Sequence, residues 1–307
     1  MTDNLMNSTS CDKEQSISKK TDKSLYFLGA HFSIAGGLHR ALYKAKEYDC
    51  NALQIFTKNS LTWKERILSE DEIYLFEQAK LKTGISKIAS HMSYLVNPAA
   101  ADKKKHAMSY KALKNELVRS SMLDIPFSVL HPGSHMGKGE EEGILRIADS
   151  INKVFDETGD IRTRLLLETT AGQGFTLGSS FEQLSSIMEK VDYKNEIGIC
   201  LDTCHIFSAG YDIRTEKSYL KTIDNFDAII GLEHLYLIHL NDSRKELGSK
   251  VDRHEHIGLG AIGIKGFEYF MNDQRLKLIP KIIETPKGKK GMNWDKVNLQ
   301  RLRSLVH

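Results

Sequence analysis

From Leu25 onward the chain alternates between two kinds of hydrophobic pattern. Short apolar, β-branched runs recur at Leu25–His31 (LYFLGAH), Ala52–Thr57 (ALQIFT), Ser86–Met92 (SKIASHM) and Phe127–Gly133 (FSVLHPG). Four more follow at Arg164–Thr170 (RLLLETT), Ile197–Thr203 (IGICLDT), Leu235–Asp242 (LYLIHLND) and Lys281–Pro286 (KIIETP). Each reads as a strand. Stretches of helical period lie between them. Ile144, Ile147, Ala148, Ile151, Val154 and Phe155 share one helix face, and Leu38, Ala41, Leu42 and Ala45 repeat the spacing. Ser69 with Glu72 makes a capping box ahead of Ile73 and Phe76. Strand alternating with helix predicts parallel strands joined by crossovers. Eight such units predict a closed (β/α)8 barrel, an α/β fold of the TIM-barrel type, as a single domain over residues 25–307. An open doubly wound sheet is the fallback. Its dinucleotide fingerprint is missing, because GAHFSIAGG after the first strand lacks the glycine spacing.

Residues 1–24 fall outside this alternation. They carry four acidic and four basic side chains, no apolar period and no continuous apolar core. They predict a flexible polar tail and not a secretory signal. Composition excludes whole classes. With 307 residues, 40% of them hydrophobic, 27% charged and only 5 prolines, the chain is neither disordered nor a fibre. No run approaches the roughly 18 apolar residues of a membrane span. The net charge of +3 neither demands nor excludes a polyanionic partner. Cys11, Cys50, Cys200 and Cys204 are too scattered for a disulfide framework, which points to a reduced, intracellular protein.

The chemistry collects where the runs end. In such barrels the carboxyl ends of the strands face the active site. Here those ends carry His31, His91, His131, Glu168, Asp202, His239 and Glu284, while the second run ends in Thr57–Lys58–Asn59. His205 follows Asp202 by three residues, and Asp252 and His254 lie in the long loop after the seventh run. Each residue alone has an ordinary structural explanation. A strand-end histidine usually hydrogen-bonds at a rim, Asp202 can cap a helix, Glu168 and Glu284 can form buried ion pairs, and Asp252–Arg253–His254 can be solvated. Together they require several separate desolvations of charge, which shared cations offset. Converging imidazoles and carboxylates suit zinc, manganese or iron. Cys200 and Cys204 flank Asp202 and read as small packing residues.

The segments GAHFSIAGG, IFTKN, SHMSYLVN, LHPGSH, ETTAGQG, LDTCHIFSAGYDIRT, IHLNDS, GSKVDRHEHIG and IIETP stand in this order along the chain. From about Leu25 to about Leu305 the sequence resembles the endonuclease IV family, the zinc-dependent apurinic/apyrimidinic endonucleases of base-excision repair. The resemblance implies three Zn2+ ions, with manganese or iron as the alternative at one site. His91, His131 and Glu168 would hold one ion. Glu168 would bridge to a second, completed by Asp202, His239 and Glu284. His205, Asp252 and His254 would hold the third. His31 would sit behind the ligands and orient a carboxylate. The implied reaction is hydrolysis of the phosphodiester 5′ to an abasic site in duplex DNA, leaving 3′-hydroxyl and 5′-deoxyribose phosphate. Blocked 3′ ends would be trimmed by the same metals. Glu284 would orient the attacking water or take its proton, and Glu168 would hold the metal pair.

Recognition of damage is implied in the same way. Tyr94 and Leu95 match the family's pair of inserting side chains. Leu61 departs from the pattern, since some members carry arginine there; it can wedge between bases but cannot contact a phosphate. Thr169, Pro98 and Leu259 also depart, and none is a ligand. Lys58, Arg253 and Lys138 are expected phosphate contacts. Three divalent ions would outweigh the four ligand carboxylates and give DNA a cationic face. The expected partner is double-stranded DNA with abasic sites or blocked 3′ ends. The expected setting is a monomer without membrane contact, in the cytoplasm beside the nucleoid, or in a nucleus. The competing readings are a metal-dependent sugar isomerase or epimerase on the same barrel, a catalytically dead DNA-binding barrel, and a photoproduct-incising barrel nuclease. The DRH loop and the complete set of nine ligands argue against the first two.

Overall fold

The computed structural model describes residues 26–288 and 292–307. The tail expected over residues 1–24 lies outside them. Eight strands close into a parallel barrel in the order β1, β10, β7, β6, β5, β4, β3, β2. They are β1 (Leu28–His31), β2 (Ala52–Ile55), β3 (Lys87–His91), β4 (Phe127–Leu130), β5 (Arg164–Glu168), β6 (Ile197–Asp202), β7 (Leu235–His239) and β10 (Lys281–Ile283). The barrel closes where Leu28, Gly29 and Ala30 pair with Lys281, Ile282 and Ile283. A short antiparallel pair, β8 (Asp242–Ser243) with β9 (His254–Glu255), lies in the connection after β7. Among the described residues, no helix is long and apolar enough to cross a membrane.

Helices fill the connections. They are α1 (Leu38–Glu47), α2 (Glu70–Thr83), α3 (Lys103–Met122), α4 (Glu140–Thr158), α5 (Phe181–Lys190), α6 (Thr203–Ala209), α7 (Glu216–Ile229), α8 (Ile264–Asn272) and α9 (Trp294–Ser304). The predicted apolar faces of α1 and α4 are buried. Ser69 and Glu72 form the expected capping box, and Gly84 ends α2 in the left-handed region at φ 70°. Several strands are shorter than their apolar runs. β4 stops at Leu130 because Pro132 has no N–H to give the ladder and Gly133 turns the chain at φ 95°.

Strand periodicity sets the site. A layer of small and aliphatic residues fills the barrel interior: Ala52, Ala89, Val129, Leu166, Cys200, Leu237 and Ile282. Side chains two apart along a strand share a face. The next interior layer therefore consists of Gln54, His91, His131, Glu168, Asp202, His239 and Glu284. β1 adds His31, two residues beyond Gly29, where a Cβ would lie 1.8 Å from the Ala52 carbonyl oxygen. The apolar layer is the floor on which the polar layer stands.

Candidate metal centre

The donor atoms of His91, His131 and Glu168 all lie within 4.8 Å of one another; so do those of Glu168, Asp202, His239 and Glu284, and those of His205, Asp252 and His254. Glu168 belongs to two of these groups. Its Oε2 is 3.0 Å from His91 Nε2 and 2.8 Å from His131 Nε2, and its Oε1 is 2.8 Å from His239 Nδ1. Asp202 does double duty. As N-cap of α6 its Oδ1 accepts from the His205 amide at 3.0 Å, while its Oδ2 lies 3.6 Å from His254 Nε2. The capping role and the place in the cluster coexist, because a carboxylate has two oxygens.

Hydrogen bonding at the far side of each ring fixes which nitrogen faces inward. His91 Nδ1 lies 2.8 Å from the Met92 carbonyl and His205 Nδ1 lies 2.8 Å from the Thr169 carbonyl. A carbonyl only accepts, so both Nδ1 atoms carry protons. In the neutral rings the inward Nε2 atoms are then lone pairs aimed at carboxylates: Glu168 at 3.0 Å for His91, and Asp252 at 3.3 Å for His205. Acceptor facing acceptor is unfavourable unless a proton or a metal cation lies between. His254 Nε2 is buried without a hydrogen-bond partner, 3.4 Å from Asp252 Oδ1. An orphaned imidazole nitrogen beside carboxylates is what a metal ligand leaves behind, so the residues present fit divalent cations.

The imidazoles and carboxylates of the cluster share protons among themselves. Burial opposes charge on His205 and His239, but Asp202 and Asp252 outweigh it at His205, and Cys200, Glu284 and Glu168 outweigh it at His239, raising both well above the usual imidazole range. Burial likewise works to raise Glu168 and Glu284, yet adjacent histidines hold both well below the usual carboxylate range. Metal binding would displace those protons. Burial pushes the Cys200 thiol up to about 12, in keeping with its place in the apolar floor.

The side chains expected to meet DNA divide. Tyr94 is 67% exposed, its ring set against Phe56 and His91, and Leu61 is 76% exposed. Leu95 is partly exposed, and Arg253 and Lys138 are exposed. Lys58 is not available. It is 6% exposed, and its Nζ donates to the Thr62 carbonyl at 2.6 Å and sits 3.8 Å from Glu65. The expectation of a phosphate contact is corrected on that ground: the ammonium is spent on its own loop. His31 Nδ1 stands 3.4 Å from Glu284 Oε1. A cleft of about 370 Å³ opens beside the cluster, lined by Tyr94, Asn97, His131, Gln173, His205 and Asp252 among others.

Two residues escaped the sequence reading. Gln54, wholly buried, occupies the place in the polar layer that was sought at Thr57–Asn59. Its signal was an amide at alternate spacing within ALQI. Asn241 donates to Asp202 Oδ2 at 2.6 Å and accepts from the Glu284 amide at 2.7 Å, tying two site residues together.

Fold and site together define a metal-binding enzyme of the TIM-barrel class, and residues 42–305 match the family described as xylose isomerase-like TIM barrel. The chain is similar to a probable endonuclease 4 of Citrifermentans bemidjiense, at 47% identity over 279 residues, covering 91% of this chain and 98% of the relative. A probable endonuclease 4 of Chloroflexus aggregans is 46% identical over 278 residues, covering 91% and 97%. The crystal structure of endonuclease IV from Thermus thermophilus matches with a TM-score of 0.81 at 35% identity, covering 91% and 98%. The chain belongs to the endonuclease IV family. It is a nuclease, and so a hydrolase.

Proposed function

We propose that this nuclease hydrolyses the phosphodiester 5′ to an abasic site in duplex DNA, leaving 3′-hydroxyl and 5′-deoxyribose phosphate, and trims blocked 3′ ends. The observation that carries the reading is the sharing of Glu168 between two groups of metal-ligating side chains, with a third group adjoining. The assignment follows: His91, His131 and Glu168 for one Zn2+, Glu168, Asp202, His239 and Glu284 for a second, His205, Asp252 and His254 for a third. Zinc bound there supplies positive charge that lowers the pKa of water and offsets charge developing on the phosphate oxygens.

The chain's own residues do the rest. Glu284, partly exposed beside His239, orients the attacking water and takes its proton. Glu168 stays ionised at the centre, since flanking histidines favour its charged form. Tyr94, Leu95 and Leu61 project apolar surface where an abasic gap leaves stacking unsatisfied, and a lesion of that kind bends at little cost. Arg253 contributes a backbone contact. The protein acts as a monomer on damaged DNA, in the cytoplasm where the nucleoid lies.

One experiment tests the reading. Purified protein is analysed for metal and then incubated, without added magnesium, with a duplex holding a single tetrahydrofuran abasic analogue. About three zinc ions per chain and one cut on the 5′ side are expected, since that analogue cannot undergo β-elimination. An intact duplex beside one or two non-zinc ions would overturn the proposal.

A further inference from the structure

The Gln54 amide reaches from β2 across the lumen to β7, although β1 and β10 separate those strands around the barrel. Its Nε2 stands 2.5 Å from Glu284 Oε1 and 3.1 Å from His31 Nδ1, and its Oε1 stands 2.8 Å from His239 Nε2. Donor and acceptor rules allow one arrangement. A carboxylate only accepts, so the amide nitrogen must face Glu284. The amide oxygen then faces His239 Nε2, so that nitrogen must carry the proton. A neutral imidazole has one N–H. Nδ1 of His239 is therefore the lone-pair nitrogen, and Nδ1 is the atom 2.8 Å from Glu168 Oε1 and 3.2 Å from Glu284 Oε2. The remaining amide N–H is left for His31.

We propose that Gln54 is a positioning residue of the metal centre. It selects Nδ1 as the ligating nitrogen of His239 and holds the Glu284 carboxylate beside it. This rests on the ligand assignment proposed for the second ion. Gln54 touches no substrate: it is wholly buried, behind the side chains that face the cleft. Outer partners of this kind change metal affinity or activity by roughly 10- to 100-fold when removed. His31 Nδ1, accepting the second amide N–H, then has no proton to give Glu284 Oε1 at 3.4 Å, so its part is to hold the Gln54 amide and not to aim Glu284 directly.

Two variants of the full chain separate the roles. Gln54→Met keeps the volume and removes all three side-chain hydrogen bonds. Gln54→Glu keeps an acceptor for His239 Nε2–H but sets a second carboxylate against Glu284. Metal-stripped protein is titrated with zinc alone. Histidine tautomers are read by long-range 1H–15N NMR, and incision is followed on the tetrahydrofuran duplex. Gln54→Met should weaken zinc at one site by roughly 10- to 100-fold. It should lower kcat while KM stays within about twofold, and it should lose the signature of protonated Nε2 on His239. Gln54→Glu should retain that signature and still lose kcat. Wild-type zinc affinity, kcat and His239 signature in Gln54→Met would overturn the proposal. Should that variant not fold, full kcat in Gln54→Glu would overturn it equally. Failure of wild-type protein to bind zinc would remove the ligand assignment itself, whereas a competent wild type matched by its variant removes only the role of Gln54.

Discussion

Lys281 is a cation kept where the barrel has no solvent. It opens β10, is 1% exposed, and its Nζ donates to the carbonyls of Leu276 at 2.6 Å and Ile279 at 3.2 Å. Burial, opposed by Asp273, pushes its pKa down to about 8. In the unfolded chain the value is near 10.4. Between these limits the unfolded chain holds a proton that the folded chain has released, so stability rises with pH across that window. Below about 8 both states are protonated and the folded state bears the desolvation. Against Lys281→Met, the wild type should therefore gain roughly 2.5 kcal/mol between pH 8 and pH 10.4. Urea unfolding of both proteins across that range checks this, and a pH-independent difference would remove the titration. Single residues varied in how well the sequence revealed them. His91, Glu168 and His239 were legible because polar groups closing apolar runs are costly without a purpose. Gln54 sits inside its run, so nothing marked it as an end. Lys58 misled because a charge was read as an exposed one.

The connection from β2 to α2 displays Leu61, yet it is anchored from another element. Thr57 Oγ1 lies 2.9 and 2.8 Å from the two oxygens of Glu116 on α3. Arg119, one turn further along that helix, donates to Thr57 Oγ1 at 3.0 Å, to Glu116 at 2.7 Å and to Glu65 at 2.5 Å. Glu116 and Arg119 are both buried, so neither charge survives alone. Arg119→Met should lower stability by about 3–5 kcal/mol, because it strands a buried carboxylate. Chemical denaturation measures it, and a loss below about 1 kcal/mol would mean that the loop does not depend on this strut. This strut could not be read in advance: its members are 59 and 62 residues apart in sequence, and only the fold brings α3 beside the connection that follows β2. Strands and helices were legible, since their periods are local. Their ends were less so, as with β4, where a backbone turn and not hydropathy decides the boundary.

At the scale of the whole barrel the proposed ligands join the carboxyl ends of β3, β4, β5, β6, β7 and β10 with α6, β9 and the loop before β9. Bound ions would act as cross-links between strands distant in the chain. A single ion at a free concentration about 1,000 times its Kd adds roughly 4 kcal/mol of stability. Stripping the metal should lower Tm by roughly 8–16 °C for each ion so held. Scanning calorimetry of loaded and chelator-treated protein checks this, and coincident transitions would count against ions in the barrel. The eightfold architecture was the most legible feature of all, because it repeats.

Closure by β1 against β10 also orders events during synthesis. β10 and Glu284 follow every other barrel strand and proposed ligand along the chain, and domains take shape from the amino terminus as it emerges. Until Lys281–Ile283 can pair with Leu28–Ala30, the sheet keeps two raw edges and the cluster lacks a carboxylate. A polypeptide stalled before Glu284 would therefore lack one of the proposed ligands. On the proposed assignment, the strand that closes the barrel is also the one that completes the cluster.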